Sequence, residues 1–267
     1  MKDISNLYLK PDFVIHAASN ASSQFYGIDP VGTMIPNFLG TYNLLELARK
    51  NSIQSMLFIS SGEVYGNTNK DYIKEDDFGI SNPLDIRYCY GESKRMGECL
   101  CKSYNYQFNI PVKIVRLGHT YGPTMDVKND KRVFSEFVGN VVENKNIIIK
   151  SDGTPMRAFC YIADAVDGFF KILFRGSNGE AYNLANKDGL ISIRDLGELL
   201  ANIYKDRGIK IVLKKRSEDE HYIESKIAKH NIPDSEKLEK LGWKIEYSIE
   251  EGFKRTVKGV EEINESF

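Results

Sequence analysis

The sequence predicts an α/β protein built on a doubly wound parallel sheet, followed by a smaller C-terminal α/β lobe. Three observations carry that prediction. Short apolar runs of strand length alternate with amphipathic helices at the spacing of strand–helix–strand units. Each of the first three strands runs, at its carboxyl end, into small or polar residues, where ligands sit in such folds. Beyond Pro123 the pattern loosens into a mixed region, with no internal repeat and no low-complexity linker.

Pro11–His16 reads as the first buried strand, opened by proline and closed by Ala17, Ala18 and Ser19. Asn37–Lys50 follows as a helix, its stripe made of Leu39, Leu44, Leu45 and Leu47, with Arg49 and Lys50 at the end that favours cations. Met56–Ser60 is the second strand and leads into Ser61-Gly62-Glu63-Val64-Tyr65-Gly66. Tyr88–Tyr104 is a helix, and Val112–Leu117 a third strand that ends in Gly118-His119-Thr120-Tyr121-Gly122-Pro123. In the second half, helices are expected over 131–143, 164–174, 193–204 (started by Ser192) and 249–263. Strands are expected over 147–150 and 181–185. The domain boundary falls between 122 and 123, with roughly 158–175 packing back on the first domain.

Charge is nearly balanced, with 36 Lys plus Arg against 37 Asp plus Glu, so nothing points to nucleic acid. Runs such as Met56–Ile59 are too short to cross a bilayer, and residues 2–10 are polar and lack a signal-peptide pattern. The four cysteines show no zinc spacing and no disulfide framework, which fits reduced thiols in the cytoplasm, and no metal site is expected. The run Lys214–His221 reads as a solvated loop.

The sharpest chemical signal is Tyr90-Gly91-Glu92-Ser93-Lys94. A spacing of four puts Tyr90 and Lys94 on one helix face, one turn apart. An ammonium beside a phenol favours the phenolate, so such a tyrosine can take a proton from a sugar hydroxyl while hydride leaves the same carbon. The pair alone is commonplace on helices. Ser61, at a strand end some thirty residues upstream, adds a hydroxyl able to hydrogen-bond a substrate oxygen.

In this setting the chain resembles the extended short-chain dehydrogenases/reductases, in their NAD-dependent nucleotide-sugar epimerase/dehydratase branch. The matching pieces come in order: His16-Ala17-Ala18; Asn37 through Glu46; Ser60-Ser61-Gly62-Glu63-Val64-Tyr65-Gly66; Tyr90 with Lys94; and Arg116 through Gly122-Pro123. Arg157 through Asp164, Tyr182-Asn183-Leu184 and Leu241-Gly242-Trp243 complete them. The resemblance implies a Rossmann-type sheet and a nucleoside-diphosphate sugar as substrate. It makes Tyr90 the base, Lys94 its partner on the nicotinamide ribose, and Ser61 the group at the reacting hydroxyl. Ala17, Ala18, Asn37 and Thr120 would meet NAD, and His119, Arg157 and Asn183 would meet the substrate. Arg157 would take the diphosphate, which suits its planar fork. A homodimer is implied by the same analogy.

Blander readings stand beside these. Asn37 can brace strand ends, Arg157 can form a surface ion pair, and His16 reads as a satisfied histidine. In dehydratases of the family an Asp-Glu pair follows the serine; here Gly62 and Glu63 stand there, and Gly62 has no proton to give a leaving group. Epimerisation by transient oxidation at C4 therefore ranks first, decarboxylation of a sugar acid close behind, and 4,6-dehydration third. A non-catalytic nucleotide-sugar-binding relative is the alternative of another class. Relatives begin with a glycine-rich turn for the NAD pyrophosphate. No such turn precedes Pro11, so the sheet is expected to be incomplete at its first strands and binding of NAD to be weak.

Overall fold

The structure is a computed structural model that describes residues 9–214 and 232–265. The chain opens with β1 (Phe13–His16), α1 (Pro30–Asn51), β2 (Ser55–Ser61) and β3 (Tyr72–Ile73). There follow α2 (Cys89–Phe108), β4 (Val112–Leu117), β5 (His119–Tyr121), α3 (Val133–Val142) and β6 (Ile147–Ile149). The rest comprises β7 (Met156–Tyr161), α4 (Ile162–Arg175), β8 (Ala181–Leu184), β9 (Leu190–Ser192), α5 (Ile193–Ile203) and β10 (Ile211–Leu213). β11 (Ile232–Pro233), α6 (Glu236–Glu239) and α7 (Ile249–Glu265) complete it. Residues 215–221 of the charged run lie outside the described residues.

The chain forms two compact units. The first comprises the described residues of Met1–Gly118, Val166–Leu184 and Tyr222–Lys244. The second comprises those of His119–Ala165, Ala185–His221 and Ile245–Phe267. The first break thus falls four residues before the expected boundary, and the C-terminal half is not one lobe. Strand pairing explains why. β8 completes the first sheet by pairing with β4, Ile114 opposite Ala181, and β11 pairs with β3, Ile232 opposite Tyr72. Of the segment 158–175 expected to pack back, 166–175 belongs to the first unit, whereas β7 belongs to the second.

The first unit is a four-stranded, wholly parallel sheet in the order β1-β2-β4-β8. α1 and α2 cover one face; α4 lies on the other, where Phe13 and Ile15 of the edge strand β1 stay exposed. On one face Val14, Met56, Phe58, Val112 and Ile114 pack against Leu45 and Ala48 of α1 and Cys101 of α2. On the other, the Phe13 ring meets Phe174 of α4 edge-on at 5.3 Å, and Ser55 Oγ donates to the Leu173 carbonyl at 2.7 Å.

α1 starts seven residues before its expected first residue. Asp29 caps it by accepting the Gly32 N–H at 2.9 Å, and Pro30 occupies the first position, where a missing N–H costs nothing. Pro36, normally a helix breaker, sits inside. In the second unit Phe137, Phe159, Leu196 and Phe253 form the core, with Tyr121 stacked on Phe253 at 4.0 Å. Its three-stranded sheet, β5-β7-β9, which stands beside the pair β10-β6, was not expected, because strands of three to six residues give too little alternation to read. α5 begins as foreseen, with Ser192 Oγ accepting the Asp195 N–H. No helix among the described residues is long and apolar enough to cross a membrane. Cys89, Cys101 and Cys160 are buried, Cys99 is exposed, and all four are free thiols.

Candidate active site

The buried stripe of α2 runs Tyr90, Ser93, Lys94, Gly97, Cys101 and Tyr104, spacings of three and four that keep one face inward. The helix is introduced by a short 3-10 turn, Ile86–Tyr88, whose cap Asp85 accepts the Arg87 N–H at 3.0 Å. α2 packs so closely on α1 that a Cβ at Gly97 would lie 2.8 Å from the Asn37 carbonyl oxygen. Asn37 ties the two helices directly. Its Nδ2 donates to Ser93 Oγ and to the Thr33 carbonyl, each at 3.0 Å.

Lys94 is almost wholly buried, at 2% exposure. Its Nζ donates to the Ile59 carbonyl at 2.6 Å and lies 5.0 Å from the Phe58 ring centroid and 5.7 Å from that of Tyr90. Burial pushes its pKa down to about 8, against an opposing pull from Glu98 and Cys101. The Tyr90 ring stacks on Tyr26 at 5.5 Å, nearly parallel. Burial, then the Glu63 charge, drive the Tyr26 phenol far upward, so that ring stays neutral.

Ser61 ends β2 and caps the turn Gly62–Tyr65 by accepting the Glu63 N–H at 3.2 Å, which fixes its hydroxyl. That turn abuts the first turn of α2: a Cβ on Gly91 would stand 2.9 Å from the Glu63 carbonyl oxygen. The Glu63 carboxylate pairs with both ends of the Arg87 fork, at 3.1 and 3.4 Å. Arg87 in turn sits over the Tyr26 ring at 5.5 Å. Sequence reasoning missed Arg87 and Tyr26, since nothing in their spacing marks them. A Cβ on Gly62 would meet only Pro233 at 3.5 Å and the Leu117 carbonyl at 3.9 Å, ordinary contacts. We expect Gly62→Asp to melt within about 2 °C of the parent in a thermal scan.

At the carboxyl end of β1, Ala17 and Ala18 are exposed and His16 is buried. The reading of His16 as a satisfied histidine fails. Among the described residues neither ring nitrogen has a hydrogen-bond partner of good geometry, and the ring lies tilted against Phe58 at 5.4 Å. Burial, with the Lys94 charge, pushes its pKa down to about 4, against a weaker pull from the Pro36 carbonyl. Ser19 Oγ, Ser22 Oγ and Asn37 Oδ1 are likewise buried without partners. Unpaired buried polar atoms are costly, and four side chains carrying them on β1, its following loop and α1 fit a polar ligand such as a dinucleotide.

The other expected site residues divide between the two units. Asn183, expected near the nucleotide, braces the fold. It is fully buried, its Oδ1 accepts from Tyr65 at 2.6 Å, and its Nδ2 donates to the Ile73 and Asp234 carbonyls at 2.8 and 3.1 Å. His119, Thr120 and Arg157 belong to the second unit, on the paired strands β5 and β7. His119 is exposed, Thr120 half-buried, and Arg157 donates to the Met156 carbonyl at 2.7 Å.

A parallel sheet whose strand ends gather a capped serine, a glutamate, a tyrosine and a buried lysine one helical turn on defines an extended short-chain dehydrogenase/reductase. Residues 2–185 match the NAD dependent epimerase/dehydratase family, and the chain belongs to that family. It is an NAD-dependent family whose similar members are enzymes. UDP-glucuronic acid decarboxylase 6 of Arabidopsis thaliana is 32% identical over 92% of this chain and 68% of its own length. A UDP-glucuronic acid 4-epimerase of Bacillus cereus, solved with UDP-glucuronic acid and NAD, superposes with a TM-score of 0.79. It is 25% identical over 94% of this chain and 76% of that one. A UDP-glucose 4-epimerase of Thermotoga maritima shares the fold, with a TM-score of 0.81 at 24% identity over 95% and 78% of the two chains.

Proposed function

We propose that the chain oxidises the C4 hydroxyl of UDP-glucuronic acid and releases the C6 carboxyl group as carbon dioxide. The observation that carries this reading is Glu63, held beside Ser61 and paired with Arg87 in a site where Gly62 replaces the acid a dehydratase would use. The similarity to UDP-glucuronic acid decarboxylases along nearly the whole chain supports it, and moves decarboxylation ahead of the epimerisation favoured from sequence alone.

Tyr90 removes the proton of the C4 hydroxyl, and Ser61 holds that oxygen by a hydrogen bond. Lys94 supplies the positive charge that favours the phenolate; its own position is fixed by the Ile59 carbonyl. Bound NAD supplies the two-electron acceptor and, later, donor at C4, and His16, Ser19, Ser22, Asn37 and Lys94 are the residues that would hold it. A ketone at C4 places the C6 carboxylate β to a carbonyl. The C5–C6 bond then breaks with its electron pair passing into the ketone, and the resulting enolate takes a solvent proton at C5, the one proton the net reaction consumes. The phenol proton on Tyr90 returns to the C4 oxygen on reduction. Epimerisation at C4 is the second reading, favoured by the fold shared with the UDP-glucuronic acid 4-epimerase.

Incubation of the protein with NAD and UDP-glucuronic acid tests the choice. Carbon dioxide and a UDP-pentose support decarboxylation, a UDP-hexuronic acid of inverted C4 supports epimerisation, and no product removes both. The lowered Lys94 pKa adds a pH dependence. The ammonium persists below about 8 and is lost above it, so kcat/KM falls as pH rises through that value. A profile flat from about pH 7 to about pH 9.5 would remove Lys94 from the chemistry.

A further inference from the structure

We propose that Arg87 selects the substrate: its guanidinium, paired with Glu63, transfers to the sugar's C6 carboxylate and thereby releases Glu63. The inference rests on the reading of the substrate as a sugar acid.

Four observations lead there. Arg87 is three residues before Tyr90, on the capped turn that opens α2, so its backbone is fixed relative to the base. Its fork lies over Tyr26, and Tyr26 stacks on Tyr90, which sets the cation one aromatic ring from the tyrosine. The fork already holds a carboxylate end-on, the geometry that suits a planar guanidinium. Yet the contacts with Glu63, 3.1 and 3.4 Å, are longer than the 2.7–2.9 Å range typical of charge-assisted bonds, and the Glu63 side chain is a third exposed. Such a pair is poised for exchange.

Among the described residues, two neighbouring cations are engaged elsewhere. Lys94 points inward to the Ile59 carbonyl, and Arg95 donates to the Val64 and Gly79 carbonyls and to Ser81. A uronate entering beside Glu63 brings a second carboxylate, and two carboxylates against one guanidinium compete. Substrate acid therefore displaces Glu63 from Arg87, and a neutral sugar does not. The result is a site that frees its glutamate only for a carboxylated ligand.

The test is a binding cycle. Dissociation constants for UDP-glucuronic acid and UDP-glucose are measured calorimetrically, with NAD present, for the parent, Arg87→Gln, Glu63→Gln and the double variant. We expect Arg87→Gln to weaken the acid about tenfold or more while leaving UDP-glucose within about twofold. Glu63→Gln, which frees Arg87, should tighten the acid, and that gain should vanish in the double variant. Arg87→Lys should recover part of the preference for the acid, because charge returns without the fork. A role confined to bracing the turn would weaken both ligands in both single variants. That outcome overturns the proposal, as does a parent that fails to prefer the acid. Carbon dioxide release is scored separately. A parent that prefers the acid through Arg87 but releases none upholds Arg87 and removes the decarboxylase reading.

Discussion

Replacing Tyr90 by phenylalanine is expected to lower kcat by on the order of a thousandfold, the scale of a lost general base. The ring that stacks on Tyr26 survives the substitution, so α2 keeps its packing and the melting temperature should hold. Affinity for UDP-glucuronic acid should stay within about twofold, because the proton is moved in the transition state rather than on binding. Single-turnover kinetics alongside calorimetry separate the two quantities. A variant with parental rates would end the role given to this residue, whatever the product.

The largest effect on stability is expected at Glu98. Its carboxylate receives two Arg116 nitrogens, at 2.8 and 3.0 Å, and the Ser60 hydroxyl at 2.6 Å, and both charged side chains are about nine-tenths buried. Glu98→Ala leaves the Arg116 guanidinium inside the fold with, among the described residues, the Tyr65 hydroxyl and the Glu75 carbonyl as its hydrogen-bond partners. An uncompensated charge of this kind costs about 3 kcal/mol, which for a chain of this size lowers the melting temperature by roughly 8 °C. The paired replacement Glu98→Leu with Arg116→Met should recover much of that, since it removes the stranded charge. A drop below about 1 °C in Glu98→Ala would show that water reaches the pair.

What the sequence reveals of this molecule depends on how local the cause is. α2, with Tyr90 and Lys94 on one face, was legible because helical spacing is set within a turn. β2 and β4 were legible because their apolar runs are continuous. α1 was clipped because Pro36 masked the Asp29–Pro30 start behind it. The exchange of segments between the two units was illegible, since β8 and β11 are ordinary short strands until β4 and β3 pair with them. The same holds for the site. Arg87 and Glu63 are 24 residues apart and meet only in the fold. The bracing role of Asn183 was illegible because its partners Tyr65, Ile73 and Asp234 lie 51 to 118 positions away.

The burial of Lys94 also sets the proton balance of folding. An unfolded lysine titrates at 10.5 and this one at about 8, so between those values the unfolded chain binds more protons than the folded one. By linkage, stability from this group is lowest below about 8, rises through the interval, and levels off once both forms are neutral. The charge that favours the phenolate is therefore the charge the fold holds at a loss, and alkali that steadies the protein at this position disarms it. Acidity sets activity and stability against each other at a single side chain.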